Sequence, residues 1–313
     1  MQLISIVVPC YNEQESIPLF FKRVDQILTE FDHHREQYRW EYWFVNDGST
    51  DESLQQLQIL HTAHADKVHY INFSRNFGKE AALLAGLKAT RGDAVAVMDV
   101  DLQDPPELLP TMISTLAETD YDVIGTQRSD RQGEPWLRSK LSMAFYHVIN
   151  RISQVKIVPG ARDYRLMRRS VVDAVIAMPE YNRFSKGIFS WVGFKTKYLT
   201  FHHQARVAGH THWSMKQLLS YSLEGIMDYS EVPLSIASWL GGTAFVASIL
   251  GMIWIVIRAL LFGNPTVGWL SLVAIILMLG GLQLLCLGIL GKYVGRIYLE
   301  TKHRPQYLIK EKM

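Results

Sequence analysis

Cysteine is scarce in this chain: Cys10 and Cys286 are the two among 313 residues. Their separation offers neither a disulfide framework nor the close spacing of a zinc site, so both read as buried apolar residues. An excess of one charge is lacking as well. Thirty-two Lys and Arg against thirty Asp and Glu leave a net charge of +2, which excludes the basic face of a dedicated nucleic-acid binder. No internal repeat or low-complexity segment stands out, and no basic leader precedes the strand-like run Leu3–Val8, so a secretory signal is not expected. The sharpest absence is local. From Val232 to Gly291 the one charged side chain is Arg258, whereas most Asp and Glu lie before Glu231.

Up to about residue 126, short β-branched runs alternate with helical stretches. Strands are expected at Ile4–Val8, Tyr42–Val45, Val68–Phe73, Ala94–Met98 and Val123–Gly125. Helices are expected at Glu15–Phe31, from Asp51, at Lys79–Ala89 and from Pro105-Pro106-Glu107, where proline suits the first turn. This alternation predicts an α/β domain with a mostly parallel, helix-covered sheet. Ligands in such sheets bind outside the carboxyl ends of the strands. The polar motifs of this chain fall at those ends.

Two uncharged apolar stretches, 234–257 and 269–291, each have ~23 residues and would span roughly 34 Å at 1.5 Å per residue, enough for a hydrocarbon core of about 30 Å. Buried core helices are the alternative. The basic residues after Gly291 (Lys292, Arg296, Lys302, Arg304, Lys310, Lys312) predict cytoplasmic termini for a multi-pass protein of the plasma membrane. The expected organisation is therefore a catalytic domain over 1–213, an interfacial amphipathic helix over 214–233, two transmembrane helices within 234–291 and a basic tail over 292–313. An ordinary surface helix would fit 214–233 as well. Small residues at four-residue spacing (Thr243, Ala247, Gly251; Gly291, Gly295) suit close helix approach and a homo-oligomer, or are simply common in membrane helices.

The most informative stretch is Asp99-Val100-Asp101-Leu102-Gln103-Asp104-Pro105-Pro106, three carboxylates and an amide at a strand end. Strand alternation would place Asp99 and Asp101 on one side. Crowded carboxylates need a cation or a proton to offset their repulsion. A hard ion such as Mg²⁺ or Mn²⁺ takes one or two carboxylates and completes its shell with diphosphate oxygens. A solvated turn with a helix cap would use the same residue types. Three more clusters, Pro9-Cys10-Tyr11-Asn12-Glu13, Asn46-Asp47-Gly48-Ser49-Thr50-Asp51 and Ser74-Arg75-Asn76-Phe77-Gly78-Lys79, follow the first three strands. Singly each is a turn; together they outline a nucleotide pocket.

These motifs resemble the signature of family 2 glycosyltransferases with the glycosyltransferase A fold. Ser74–Glu80 and Asp99–Pro106 narrow the resemblance to polyprenyl-phosphate glycosyltransferases, relatives of dolichol-phosphate-mannose synthase. The paired apolar stretches make the bacterial undecaprenyl-phosphate glucosyl and N-acetylglucosaminyl transferases most similar. The resemblance implies a UDP-sugar donor, a polyprenyl phosphate acceptor and a divalent metal. It implies that Pro9, Tyr11, Glu13 and Asp47 line the nucleoside site, that Lys79 and Glu80 lie near the nucleotide-sugar, and that Asp99, Asp101 and Gln103 hold the metal. Arg128, Arg131 and Arg138 are implied at the lipid phosphate, with Arg206 and Trp213 closing the site. Asp163, in Ala161-Arg162-Asp163-Tyr164-Arg165-Leu166-Met167, is the implied catalytic carboxylate, or else half of a bracing pair with Arg165.

A phosphate monoester has a second pKa of about 6. The acceptor is then already an anionic nucleophile at neutral pH, and direct attack with inversion is expected. A processive synthase would need a Gln-x-x-Arg-Trp motif after the acidic run; Arg39-Trp40 lies before it. A scaffold or flippase component is the non-enzymatic alternative, against which Asp47, Asp99 and Asp101 speak.

Overall fold

The computed structural model describes residues 2–33, 37–129, 150–151, 156, 158–178, 180–201, 230, 232–262 and 268–313. Eight strands form one sheet: β1 Gln2–Cys10, β2 Tyr38–Asn46, β3 Val68–Phe73, β4 Ala94–Val97, β5 Val123–Arg128, β6 Ala161–Arg168, β7 Thr196–Phe201 and β8 Ile309–Lys312. Their order is β7-β5-β6-β4-β1-β2-β3-β8. The pairs β3–β2, β2–β1, β1–β4 and β5–β7 are parallel. Strand β6 runs antiparallel between β4 and β5, and β8 runs antiparallel along β3. The mostly parallel α/β architecture is as expected, with two antiparallel insertions that the βα alternation does not announce.

Both faces are covered, as a parallel sheet requires. Alternation along β1 sends Ile4, Ile6 and Val8 to one face and Val7 to the other. On the first face lie α1 (Ser16–Asp32), α2 (Ser53–Ala63) and α4 (Leu108–Glu118), which bury Phe20, Val24, Leu57, Leu109 and Met112. On the second lie α3 (Lys79–Ala89), α5 (Arg169–Ile176) and α6 (Ser185–Trp191). Helix α3 is buried from Ala81 to Leu87 and sits so close to the sheet that Gly86 has no room for a side chain.

Helices α7 (Val232–Phe262) and α8 (Trp269–Thr301) form an antiparallel hairpin. The Tyr293 hydroxyl donates to the Ser230 carbonyl at 2.9 Å, and the Cys286 thiol reaches the Ala237 carbonyl at 3.5 Å. Within these helices Val232–Gly251 and Met278–Thr301 are long and apolar enough to cross a membrane, and at most 6% of either is buried inside the protein. That separates them from core helices. Side chains such as Trp239, Phe245, Trp254 and Leu284 face outward. Among the described residues, nothing lies within 4 Å of where a Cβ would stand at Gly251, Gly291 or Gly295, so these glycines do not mediate contact within the hairpin.

Helix α8 runs beyond the apolar stretch ending at 291, because loss of hydrophobicity marks where a solvent changes, not where a helix stops. After it, the basic tail does not trail free: Ile309–Lys312 is the sheet's edge strand. The expected interfacial helix at 214–233 lies outside the described residues apart from Ser230 and the start of α7.

An alanine Cβ at Gly86 would stand 2.3 Å from Val7 Cγ1 and 3.3 Å from Val45 Cγ2. Gly86→Ala is expected to destabilise the domain by about 1–3 kcal/mol, as overpacking does. Thermal unfolding of the purified protein followed by circular dichroism checks this; an unchanged midpoint would contradict the tight α3–sheet contact.

Candidate active site

The carboxyl ends of β1, β2, β3 and β4 share one edge because these strands are mutually parallel. The antiparallel β6 brings its start to that same edge: Val97, at the end of β4, pairs with Arg165, and Asp163 lies two residues back. Thus Asp99, Lys79 and Asp163, far apart in sequence, meet. The Lys79 ammonium donates to Asp99 at 2.8 Å (Oδ1) and 3.0 Å (Oδ2), and to Asp163 Oδ2 at 2.6 Å. Lys79 is the first residue of α3, so its backbone is anchored by a buried helix while its head reaches the edge.

Beyond Val97 the chain leaves the sheet and turns. Leu102 adopts a left-handed conformation at φ 56°, and the Gln103 N–H donates to Asp101 Oδ1 at 3.1 Å. The strand alternation expected for Asp99 and Asp101 therefore does not apply; a turn, not a strand, places them. Gln103 contributes its backbone here. Asp101 and Asp104 are both buried, and Arg162 Nε donates to Asp104 Oδ1 at 2.8 Å. Among the described residues, Oδ2 of Asp104 has no hydrogen-bond partner. Burial, partly offset by Arg162, pushes the Asp104 carboxyl up to about 6.

The other three loops form a continuous platform. Asn12, at φ 55°, accepts from the Thr50 N–H at 2.8 Å, and its own N–H donates to Ser49 Oγ at 2.9 Å. The Glu13 N–H donates to Ser53 Oγ at 2.8 Å, and Ser16 Oγ donates to the Glu13 carboxylate at 2.7 Å. Asp47 accepts from the N–H groups of Phe77 (2.7 Å) and Gly78 (2.9 Å), one on each oxygen. Burial raises the Asp47 carboxyl, and these two bonds oppose the rise. Gly48, at φ 64°, lies under the third loop: a Cβ there would stand 2.2 Å from the Arg75 carbonyl carbon. Only glycine meets both conditions. Tyr11 and Pro9 are half-buried on the first of these loops and the strand before it.

On the other side, Glu80 accepts from the backbone N–H and hydroxyl of Ser185, the first residue of α6. Burial pushes the Glu80 carboxyl up, opposed by the Ser185 hydroxyl. Arg165 is buried, with its guanidinium 3.8 Å from the Phe189 ring centre and bonds to the carbonyls of Arg162 (2.9 Å) and Asp163 (3.2 Å). The expected Arg165 brace thus engages the Asp163 backbone, while the Asp163 carboxylate faces Lys79. Arg128 ends β5, and its N–H donates to the Gly160 carbonyl at 3.0 Å. Arg131, Arg138, Arg206 and Trp213 lie outside the described residues.

An edge where acidic and basic groups meet beside a glycine-dependent loop platform suits an anionic, nucleotide-like ligand. The family model for glycosyl transferase family 2 matches residues 5–176, the segment that builds this edge up to Asp163. The chain belongs to glycosyltransferase family 2. Its similarity to individual members covers the whole length. It is 44% identical over 311 residues to the bactoprenol glucosyl transferase of Shigella phage SfX, with 99% of each chain covered. It is 43% identical to the prophage bactoprenol glucosyl transferase homolog of Escherichia coli K12, covering 98% of both. With the putative glycosyltransferase CsbB of Bacillus subtilis it shares 42% identity over 99% of this chain and 92% of the relative.

The oxygen set of this glycosyltransferase fits a hard divalent ion. Asp99 and Asp101 would supply carboxylates, and Asp104 Oδ2 is a buried acceptor without a donor among the described residues, an arrangement that costs free energy unless something positive approaches. Among the described residues no three His, Cys, Asp or Glu side chains form a ready cage. An ion here would therefore draw the rest of its shell from substrate oxygens, as Mg²⁺ commonly does.

Sequence reasoning passed over the Asp104–Arg162 pair and Ser185. Both polar partners of Asp104 and Asp163 sit within motifs already singled out; Ser185 carries no motif and is found only through its contact with Glu80. Desolvation raises the Asp163 carboxyl, but Lys79 and Lys186 outweigh it and hold the group well below the usual carboxylate range. A depressed folded-state pKa contributes stability above the ordinary carboxylate value and loses it as pH falls through the folded one. Lys79→Met should therefore cost stability at pH 7, about 1–3 kcal/mol, less than for a fully buried pair because the ammonium is one-third exposed. Below about pH 4 the variant's own carboxylates protonate and the deficit should shrink. Thermal midpoints across pH test the sign; a deficit that grows on acidification would contradict the ion triad.

Proposed function

We propose that this protein transfers glucose from UDP-glucose to a polyprenyl phosphate at the cytoplasmic face of a membrane that α7 and α8 span. The observation that carries this is the full-length similarity to bactoprenol glucosyl transferases at about 43% identity, extending through both apolar helices. UDP-N-acetylglucosamine is the second donor to be compared, since one added group is a matter of pocket shape.

In the proposed site, Pro9, Tyr11, Glu13 and Asp47 line the nucleoside pocket. Asp47 and Glu13 act there largely by shaping the loops, since both carboxylates are already engaged. Asp99 and Asp101, with Gln103 beside them, would hold Mg²⁺ or Mn²⁺; a bound ion supplies charge neutralisation at the departing diphosphate. Lys79 places a permanent positive charge next to Asp99, because the two carboxylates raise its pKa despite burial. It is free to turn from Asp99 towards diphosphate oxygens when donor binds. Glu80, held by Ser185, borders the sugar.

Arg128, together with Arg131, Arg138, Arg206 and Trp213, is proposed to receive the lipid phosphate, a role suited to the planar donor fork of arginine. The acceptor phosphate is the nucleophile. Asp163, kept ionised by Lys79, binds protons too weakly to serve as an effective base near neutral pH, so its proposed role is to orient Lys79. Attack opposite the leaving UDP inverts the anomeric centre.

The decisive assay incubates the purified protein with labelled UDP-glucose, undecaprenyl phosphate and Mg²⁺. A lipid-extractable glucosyl product is expected, with label in insoluble polymer indicating a processive synthase and no transfer indicating a scaffold. Chelation should abolish transfer and added Mg²⁺ or Mn²⁺ restore it. Asp99→Asn and Asp101→Asn should each lower kcat by roughly 10²–10³, the scale of losing one electrostatic stabiliser. Asp163→Asn should retain more activity than either. Proton NMR of the product reads the anomeric configuration; retention would exclude direct displacement.

A further inference from the structure

The end of α8 returns to the catalytic domain in a way that neither the family match nor the chemistry above requires. The helix stops at Thr301, His303 turns the chain at φ 48°, and Pro305 prevents the helix from resuming. The tail then lies along β3. Tyr70 and Met313 exchange backbone bonds at 3.2 and 3.0 Å, the Tyr70 hydroxyl donates to Glu311, and the Ser74 N–H donates to the Leu308 carbonyl at 3.0 Å. Ser74 opens the loop that leads through Phe77 and Gly78 to Lys79.

Tyr307 precedes the paired strand, so edge pairing gives it no part to play. Its ring instead stacks on Phe73, with centroids 5.0 Å apart and planes at 11°. Phe73 meets Phe77 edge-on at 5.8 Å, and the Phe77 N–H is one of the two held by Asp47. A continuous run of aromatic contacts thus joins the tail to the loop residues that fix Asp47 and start α3. The same helix end reaches the opposite wall. The Glu300 carboxylate accepts from the Tyr181 N–H at 2.8 Å, and the Gln306 side chain donates to the Glu180 carbonyl. That segment leads to Ser185, the partner of Glu80.

We infer that Tyr307 is a positioning residue for donor binding: through Phe73 and Phe77 it transmits the seating of α8 to the loop that carries Asp47's partners and Lys79. The inference rests on the proposal that this loop receives the nucleotide. Aromatic pairs prefer defined offset or edge-on geometry, so removing one ring loosens the angle of the next without emptying the core of the domain. The path through Phe73 and Phe77 does not include Arg128, the described residue of the proposed acceptor side.

The test uses the full-length protein with Tyr307→Phe, Tyr307→Ala and Tyr307→Leu, and Gly86→Ala as a variant destabilised elsewhere. UDP affinity is measured by calorimetry, independently of transfer, and steady-state kinetics give KM for donor and acceptor. Tyr307→Ala and Tyr307→Leu should weaken UDP binding and raise the donor KM roughly 3- to 10-fold, the scale of one aromatic pair. Acceptor KM should stay unchanged, and Tyr307→Phe should bind UDP within about twofold of the parent, since it keeps the ring. Unchanged UDP affinity in Tyr307→Ala and Tyr307→Leu would overturn the inference, as would a uniform loss of active protein matching Gly86→Ala. A parent that binds UDP yet glucosylates no lipid phosphate would instead sink the proposed reaction, while the UDP affinities of the variants would still decide the role of Tyr307.

Discussion

One ammonium between two carboxylates holds the candidate site together. Lys79 stands at the start of α3, Asp99 just past β4 and Asp163 near the start of β6, so the triad exists only if three separately folded elements arrive at the same edge. At an effective dielectric of about 20, unit charges ~4 Å apart interact by about 4 kcal/mol, enough that an unbalanced carboxylate here would be costly. The triad depends on the sheet order. Were β6 to lie outside β5 in the usual parallel progression, Asp163 would be a strand's width or more away and Asp99 would face Lys79 alone. The two antiparallel insertions are thus tied to the candidate site on one side, through β6, and to the two apolar helices on the other, through β8.

The legible part of the fold was the part whose hydrophobic period is local. The first four strands and the helices between them announce themselves by β-branched runs and by turn-forming residues, and the loop motifs fall at strand ends as they should in a parallel sheet. Strand β6 was not legible as a neighbour of β4, because its pairing partner is chosen by packing over a sequence distance that periodicity does not encode. The same is true of β8: Ile309-Lys310-Glu311-Lys312 reads as a charged tail, and its strand conformation comes from the free edge of β3. Charges on an edge strand are in keeping with the need to keep that edge from pairing with other chains.

Within the site, residue types were legible but arrangements were not. Asp99 and Asp101 follow β4 as expected, but the turn at Val100 and Asp101, not strand alternation, sets their relation. Of the two readings of Asp163, the side-chain pair with Arg165 is not formed: the carboxylate meets Lys79, while Arg165 lies over Phe189 and bonds to the carbonyls of Arg162 and Asp163. Asp104, read only as one of three carboxylates in the acidic run, is buried and paired with Arg162.

The engaged state of Asp47 and Asp163 bears on what kind of catalyst this is. Asp163, held ionised by the Lys79 ammonium, is a poor proton acceptor, and both oxygens of Asp47 are taken up by backbone N–H groups. The described edge is therefore arranged for charge placement more than for proton transfer. A phosphate acceptor that is already anionic makes that arrangement sufficient, since the demands that remain are to hold two anionic partners close together and to offset charge on the departing one. A neutral hydroxyl acceptor would instead need a base, a part to which the ionised Asp163 is not suited. An ionised Asp163 beside Lys79 is thus in keeping with the proposed phosphate acceptor, as the two apolar helices are with a lipid carrier.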